Sequence, residues 1–123
     1  MANVGIVLIS HSAKVVEGIK EIINQVNDTV SIALAGGTDD GEIGTSIEKI
    51  QTAIDSVSHD KGVLLVYDLG SAKMNAELAI EMGALEKVKI LEAPILEGAY
   101  VAAVEAGMGK DLDEVVKAVE KNF

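Results

Sequence analysis

Residues 5–12, Gly5-Ile6-Val7-Leu8-Ile9-Ser10-His11-Ser12, decide how this chain folds: an unbroken apolar run gives way at once to three polar residues. Strands covered on both faces read as continuous runs rich in Val, Ile and Leu, without polar alternation, and residues 4–9 form such a run. VSIALA at 30–35 and GVLLVY at 62–67 repeat the pattern, and VKIL at 88–91 is a shorter fourth candidate. Amphipathic segments lie between them. The first aligns Val15, Val16, Ile19, Ile22, Ile23 and Val26 on one stripe. The second aligns Ile43, Ile47, Ile50, Ile54 and Val57, with Thr45 and Glu48 spaced as a capping box. The third carries Met74, Leu78, Met82 and Leu85. The last begins at Asp111, with Glu114 three residues on, and buries Leu112, Val115, Val116 and Val119.

This order, βαβαβαβαα, predicts an α/β fold: a single doubly wound, mostly parallel sheet with helices on both faces and strand order 2-1-3-4. Residues 1–123 make one domain. Pro94 marks a break or the first turn of a helix through ILEGAYVAAVEAGMG. That helix is apolar and rich in small residues around most of its circumference. It is either sandwiched within its own domain or packed also against a second subunit.

Composition removes several functions. The net charge of −10 argues against nucleic acid and against a membrane surface, because phosphates call for Lys and Arg. It suits a partner with a basic docking face. Without cysteine there is no disulfide framework, thiol catalysis or Cys-based zinc site. The first ten residues read as a strand and not as a signal peptide, and no run is long enough to span a bilayer, so a soluble cytoplasmic protein is expected.

In a doubly wound sheet the ligand site lies beyond the carboxyl ends of the strands, where strand order reverses. Those ends read Ser10-His11-Ser12, Gly36-Gly37-Thr38-Asp39-Asp40, Asp68-Leu69-Gly70-Ser71 and Glu92-Ala93-Pro94. The order 2-1-3-4 gathers the first three on one rim around His11, whereas His59 falls in a loop on the opposite rim. Gly36 and Gly37 let backbone amides approach an anion, and Thr38 adds a hydroxyl. Ser12 and Gly70-Ser71 stand at helix starts with unsatisfied N–H groups. Asp68 can hold one imidazole nitrogen and leave the other nucleophilic. Such a rim fits the temporary residence of a phosphoryl group on His11. Taken one by one, the same residues also serve as a turn, an N-cap and a turn former.

Other motifs are missing. There is no Walker-A lysine, no GxGxxG after the first strand and no GxSxG elbow. Two histidines on opposite rims do not make a His-based metal site. Asp39, Asp40 and Glu42 read as a solvated loop before they read as a cation site.

GIVLISHS, ALAGGTDDGEIGTS, YDLGSAKMNAE and APILEGAYVAA together carry a resemblance over essentially the whole chain. It resembles the mannose-type enzyme IIA of the bacterial phosphoenolpyruvate:sugar phosphotransferase system. It is more similar still to the phosphotransferase subunits of phosphoenolpyruvate-dependent dihydroxyacetone kinases. The resemblance implies that His11 takes a phosphoryl group from the histidine-containing phosphocarrier protein and passes it to ADP on the nucleotide-binding kinase subunit. It further implies Asp68 as the orienting partner, Gly37, Thr38, Gly70, Ser71 and Ser12 as the phosphate-facing shell, no cofactor and a homodimer. An enzyme IIA feeding a sugar permease is the neighbouring alternative. A receiver domain phosphorylated on Asp68 and a non-catalytic anion-binding module are the alternatives from other classes. A receiver, however, needs an acidic pair after the first strand, where this chain has Ser-His-Ser.

Overall fold

A computed structural model of the chain describes residues 3–57 and 61–123. Four strands form one parallel sheet: β1 (Gly5–Ser10), β2 (Ile32–Gly36), β3 (Val63–Tyr67) and β4 (Val88–Ile90), in the order β2-β1-β3-β4. Five helices connect and cover it: α1 (Ala13–Asn24), α2 (Ile47–Val57), α3 (Gly70–Met82), α4 (Ile95–Gly107) and α5 (Leu112–Glu120). The predicted order and topology are those observed. His59 lies outside the described residues.

Alternate residues of the two central strands feed two cores, as the period-2 geometry of a strand requires. Ile6, Leu8, Leu64 and Val66 pack against α1, α4 and α5, while Val7, Ile9, Val63 and Leu65 pack against α2 and α3. α4 turns Ala99, Ala102, Ala103 and Ala106 into the first core and lies against α1 and α5, so its small-residue face is used inside the chain. Among the described residues no helix is long and apolar enough to cross a membrane.

Several expected helix details are corrected. α2 is capped by Ser46, whose hydroxyl accepts from Lys49 N–H at 3.2 Å, and not by Thr45, whose hydroxyl accepts from Asn75. Ile43 stands in the preceding loop, exposed, and Val15, Ile22 and Val26 are exposed as well. α3 buries Ala72, Ala76 and Ala79 and turns Met74, Leu78 and Met82 outward. The alanines, spaced four and three apart, let this helix sit close to the sheet, so large residues stay on the outside. The capping box of Asp111 and Glu114 at α5 is present, with reciprocal bonds of 2.9 and 3.1 Å.

Candidate active site

β1 and β3 are adjacent and in register, with Ile9 beside Tyr67, so the residues that follow each strand emerge side by side on the carboxyl rim. There the Asp68 carboxylate gathers four donors. Oδ2 accepts from the Ser10 hydroxyl at 2.9 Å and the His11 backbone N–H at 3.0 Å. Oδ1 accepts from the Leu69 N–H at 2.7 Å and from the His11 ring through Nδ1 at 3.0 Å. Burial pushes the Asp68 carboxyl up, but the bonds from His11, Ser10 and Leu69 outweigh it and hold the group below the usual carboxylate range.

This contact fixes the imidazole. An ionised carboxylate only accepts, so the ring proton sits on Nδ1, and the lone pair of the neutral ring is at Nε2. Nε2 points at the Ser71 hydroxyl, 2.7 Å away, which donates to it. His11 is thus held at one nitrogen by an anion and covered at the other by a small movable hydroxyl. Its side chain is 20% exposed, open to a visitor at the rim.

Ser10 is the residue that the sequence reading passed over. It is buried, and its hydroxyl donates to Asp68 while accepting from Ser12 N–H at 3.0 Å. The signal was available: Ser10 continues the side of β1 that Ile6 and Leu8 bury, and a polar residue at such a position needs a partner.

The two glycines of the second rim segment do separate jobs. A Cβ on Gly36 would lie 2.6 Å from Val16 Cγ2 and 2.7 Å from Ala13 Cα, so β2 closes against the start of α1 only because no side chain is there. Gly37 has φ +75°, the left-handed region that glycine enters at little cost. Its N–H donates to Ser10 O at 3.1 Å, and Thr38 N–H donates to Glu42 O at 2.9 Å, so both amides are engaged within the fold. Thr38 Oγ1 accepts from Glu42 N–H at 3.1 Å and keeps its own proton to give. None of these bonds goes to His11. The loop is instead tied to it through Gly44 N–H, which donates to His11 O at 2.9 Å.

Four helices begin at the carboxyl rim; α2 and α4 hold an acid in the first turn, Glu48 and Glu97, but the two nearest His11 do not. α1 starts behind Ser12 and α3 behind Leu69; neither N-cap makes a side-chain cap bond and neither first turn holds Asp or Glu. At the opposite rim α5 has an Asp cap and two acids in its first turn. The open N–H groups and positive dipole ends of α1 and α3 therefore favour an anion beside His11. The rim is not free of lysine. Lys49 reaches Gly36 O at 3.0 Å, and Lys73 pairs with Glu92, which also accepts from Tyr67 OH at 2.6 Å. The hydrogen bond to Lys73, then that to Tyr67, holds Glu92 below the usual carboxylate range.

Fold and site together define a class: an α/β domain that presents one oriented imidazole at the carboxyl rim of a four-stranded parallel sheet, beside two uncompensated helix starts. The chain belongs to the family described as the PTS system fructose IIA component, whose model matches residues 5–116, and within it to the phosphoryl donor subunits, DhaM, of dihydroxyacetone kinases. It is 47% identical over 93% of its length to the phosphoryl donor subunit DhaM of PEP-dependent dihydroxyacetone kinase 1 from Listeria innocua serovar 6a, covering 90% of that protein. It is 38% identical over 95% of its length to the phosphotransferase subunit DhaM of the PTS-dependent dihydroxyacetone kinase of Lactococcus lactis subsp. lactis, covering 94% of it. A crystal structure of EF1359, a protein of unknown function, matches with a TM-score of 0.85 at 35% identity, covering 97% of this chain and 94% of that one.

Proposed function

We propose that His11 carries a phosphoryl group between two proteins, as the phosphoryl-donor subunit of a PEP-dependent dihydroxyacetone kinase. The observation that carries this reading is the bridge from Asp68 through Nδ1 to an Nε2 whose lone pair faces the rim. Nε2 attacks the phosphorus of a phosphohistidine on the histidine-containing phosphocarrier protein. The new N–P bond forms in line as the donor's N–P bond breaks. No proton has to move: Nδ1 keeps its hydrogen, the loaded ring becomes cationic, and Asp68 stands opposite that charge. In the second step a terminal phosphate oxygen of ADP, bound on the nucleotide-binding kinase subunit, attacks the same phosphorus, and Nε2 leaves with its lone pair restored.

Preformed donors serve the equatorial oxygens during both transfers. The first-turn amides of α1 and α3, the latter at Gly70 and Ser71, are uncommitted, and the hydroxyls of Ser71, Ser12 and Thr38 lie on the same rim. Gly37 acts through the loop it shapes, since its own amide is engaged. The chain then works as one domain, as a homodimer in the cytoplasm, and needs no cofactor.

Asp68 is poorly suited to be the phosphoacceptor of a receiver domain, because four donors occupy its oxygens. The test is intact mass after incubation with phosphoenolpyruvate, enzyme I and the histidine-containing phosphocarrier protein. Wild type should gain one acid-labile, base-stable phosphoryl group, and His11→Ala none. An unmodified wild type or a modified His11→Ala protein would refute the proposal. Discharge of the adduct by a sugar-specific enzyme IIB, and not by the ADP-loaded kinase subunit, would assign the chain to sugar uptake.

A further inference from the structure

Asn75 makes its bond away from His11, yet it stands in a path that joins two ends of the site. It follows Ser71 by four residues on α3, so the two side chains share one face of the helix, a turn apart. Its amide donates to the Thr45 hydroxyl, in the loop that leads from β2 into α2. The residue before Thr45 is Gly44, whose N–H donates to His11 O at 2.9 Å. His11 Nε2 in turn meets the Ser71 hydroxyl at 2.7 Å. Three hydrogen bonds, one turn of α3 and the step from Thr45 to Gly44 therefore form a closed ring. It leaves the imidazole at Nε2 and returns to the carbonyl of the same residue.

This ring reaches what Asp68 does not. Asp68 holds the imidazole at Nδ1 and the His11 N–H, on one side of the Cα. The carbonyl on the other side is held from the loop, by Gly44. The tip of that loop bonds to itself, through Thr38 and Glu42, and Ser46 turns its hydroxyl to Asp39 and to the start of α2. The bond from Asn75 to Thr45 is what ties the loop to α3, the helix that carries the hydroxyl at Nε2. Both residues are half-buried. In-line transfer depends on the direction of the Nε2 lone pair, and a misplacement of ~1 Å in such a geometry can cost up to ~10²-fold in rate.

We propose that Asn75 and Thr45 are positioning residues for the transfer, an inference that rests on the phosphohistidine reading above. Their bond keeps the loop against α3, so that the backbone and the reactive nitrogen of His11 are held in one geometry and the lone pair stays on the line of attack. The test follows single-turnover loading of His11 as the concentration of the phosphorylated histidine-containing phosphocarrier protein is varied. Wild type is compared with Asn75→Ala, Thr45→Val, Thr45→Ser and the double variant Asn75→Ala/Thr45→Val. Valine keeps the shape of threonine without the hydroxyl, and serine keeps the hydroxyl. Asn27→Ala is the control, because it too removes a part-buried amide bond, to Ala103 O at 3.0 Å, but beyond the end of α1 on the opposite rim. Circular dichroism first shows each variant folded; Asn75→Ala and Thr45→Val break the same bond from its two ends, so either one suffices.

Asn75→Ala and Thr45→Val should each lower the limiting rate about tenfold, with the KM for the phosphocarrier within about twofold of wild type. The double variant should be no slower than the slower single, since one bond is lost in all three. Thr45→Ser and Asn27→Ala should load at the wild-type rate. An unchanged limiting rate in the first two variants would overturn the proposal and leave the bond a plain tie between the loop and α3. A raised KM at an unchanged limiting rate would overturn it as well, by making these side chains a contact for the partner. So would an equal slowing in Asn27→Ala, the mark of general loosening. Failure of the wild type to load at all would be visible before any variant is compared. It would remove the phosphohistidine reading and this inference with it.

Discussion

Replacing Asp68 by Asn tests the site at its centre. The carboxylate takes four hydrogen bonds on two oxygens. An amide of the same shape offers one accepting oxygen and one donating nitrogen, so two of those four donors would face an NH2 group. If the NH2 group faces the ring, the proton moves to Nε2 and the nucleophilic lone pair is lost. If the oxygen faces it, the tautomer survives but the negative charge does not. The size of that second loss follows from the geometry. Asp68 Oδ1 stands 3.0 Å from Nδ1, and on the proposed mechanism the loaded ring would carry its positive charge spread over the imidazole. Two opposite charges about 4 Å apart at an effective dielectric near 20 attract by about 4 kcal/mol. The side chains are 18% and 20% exposed, so solvent screens part of this, and about 3 kcal/mol remains, roughly 10²-fold in rate. Single-turnover loading, quenched and read by intact mass, should slow by that factor in Asp68→Asn while the protein stays folded by circular dichroism. A rate within threefold of wild type would show that the carboxylate does not support the charged intermediate.

Two further outcomes follow from the same bonds. Ser10→Ala leaves the Ser12 amide without its partner and takes one of two donors from Asp68 Oδ2 in a part-buried place, and should cost about 1 kcal/mol in urea unfolding, with a milder loading defect than Asp68→Asn; an unchanged urea midpoint would contradict a stabilising role for these bonds. Asp68 is held below the usual carboxylate range in the folded chain, so its contribution to stability is complete above the unfolded pKa of about 3.9 and disappears as pH falls through the lower folded value. Urea midpoints measured from pH ~5 down to pH ~2 should therefore fall more steeply for wild type than for Asp68→Asn, and parallel curves would refute the assignment.

What could be read from the sequence, and what could not, divides along physical lines. The four strands and their order were legible because continuous Val-Ile-Leu runs have few other uses in a soluble domain, and the pairing of His11 with Asp68 followed from that order. Helix faces were less secure. In α3 the large residues Met74, Leu78 and Met82 drew the expected core to the wrong side, because Ala72, Ala76 and Ala79 have little apolar weight yet allow the closest approach to the sheet. At α2, Thr45 and Glu48 had the right spacing for a capping box, but Ser46 takes the cap and Thr45 bonds across to Asn75. That bond joins two elements distant in sequence, and no local pattern announces it. The Gly-Gly turn reads as an anion cradle from its residue types; the close approach at Gly36 and the left-handed turn at Gly37 depend on the neighbours of β2 and α1 and could not be read from them.

If His11 carries a phosphoryl group as proposed, the hydroxyl of Ser71 would give the site a way to register whether it is full. While His11 is empty, that hydroxyl donates to Nε2. On that reading a phosphorus at Nε2 would evict it, and the oxygens of the arriving group would offer it replacement acceptors. One hydrogen bond is exchanged for another, so the changeover costs little and does not bias loading against unloading. The exchange would take place in the first turn of α3, the helix whose Met74 and Met82 are exposed. On the same reading the tip of α3 differs between a loaded and an empty His11, which would let a partner tell a donor awaiting delivery from one already emptied.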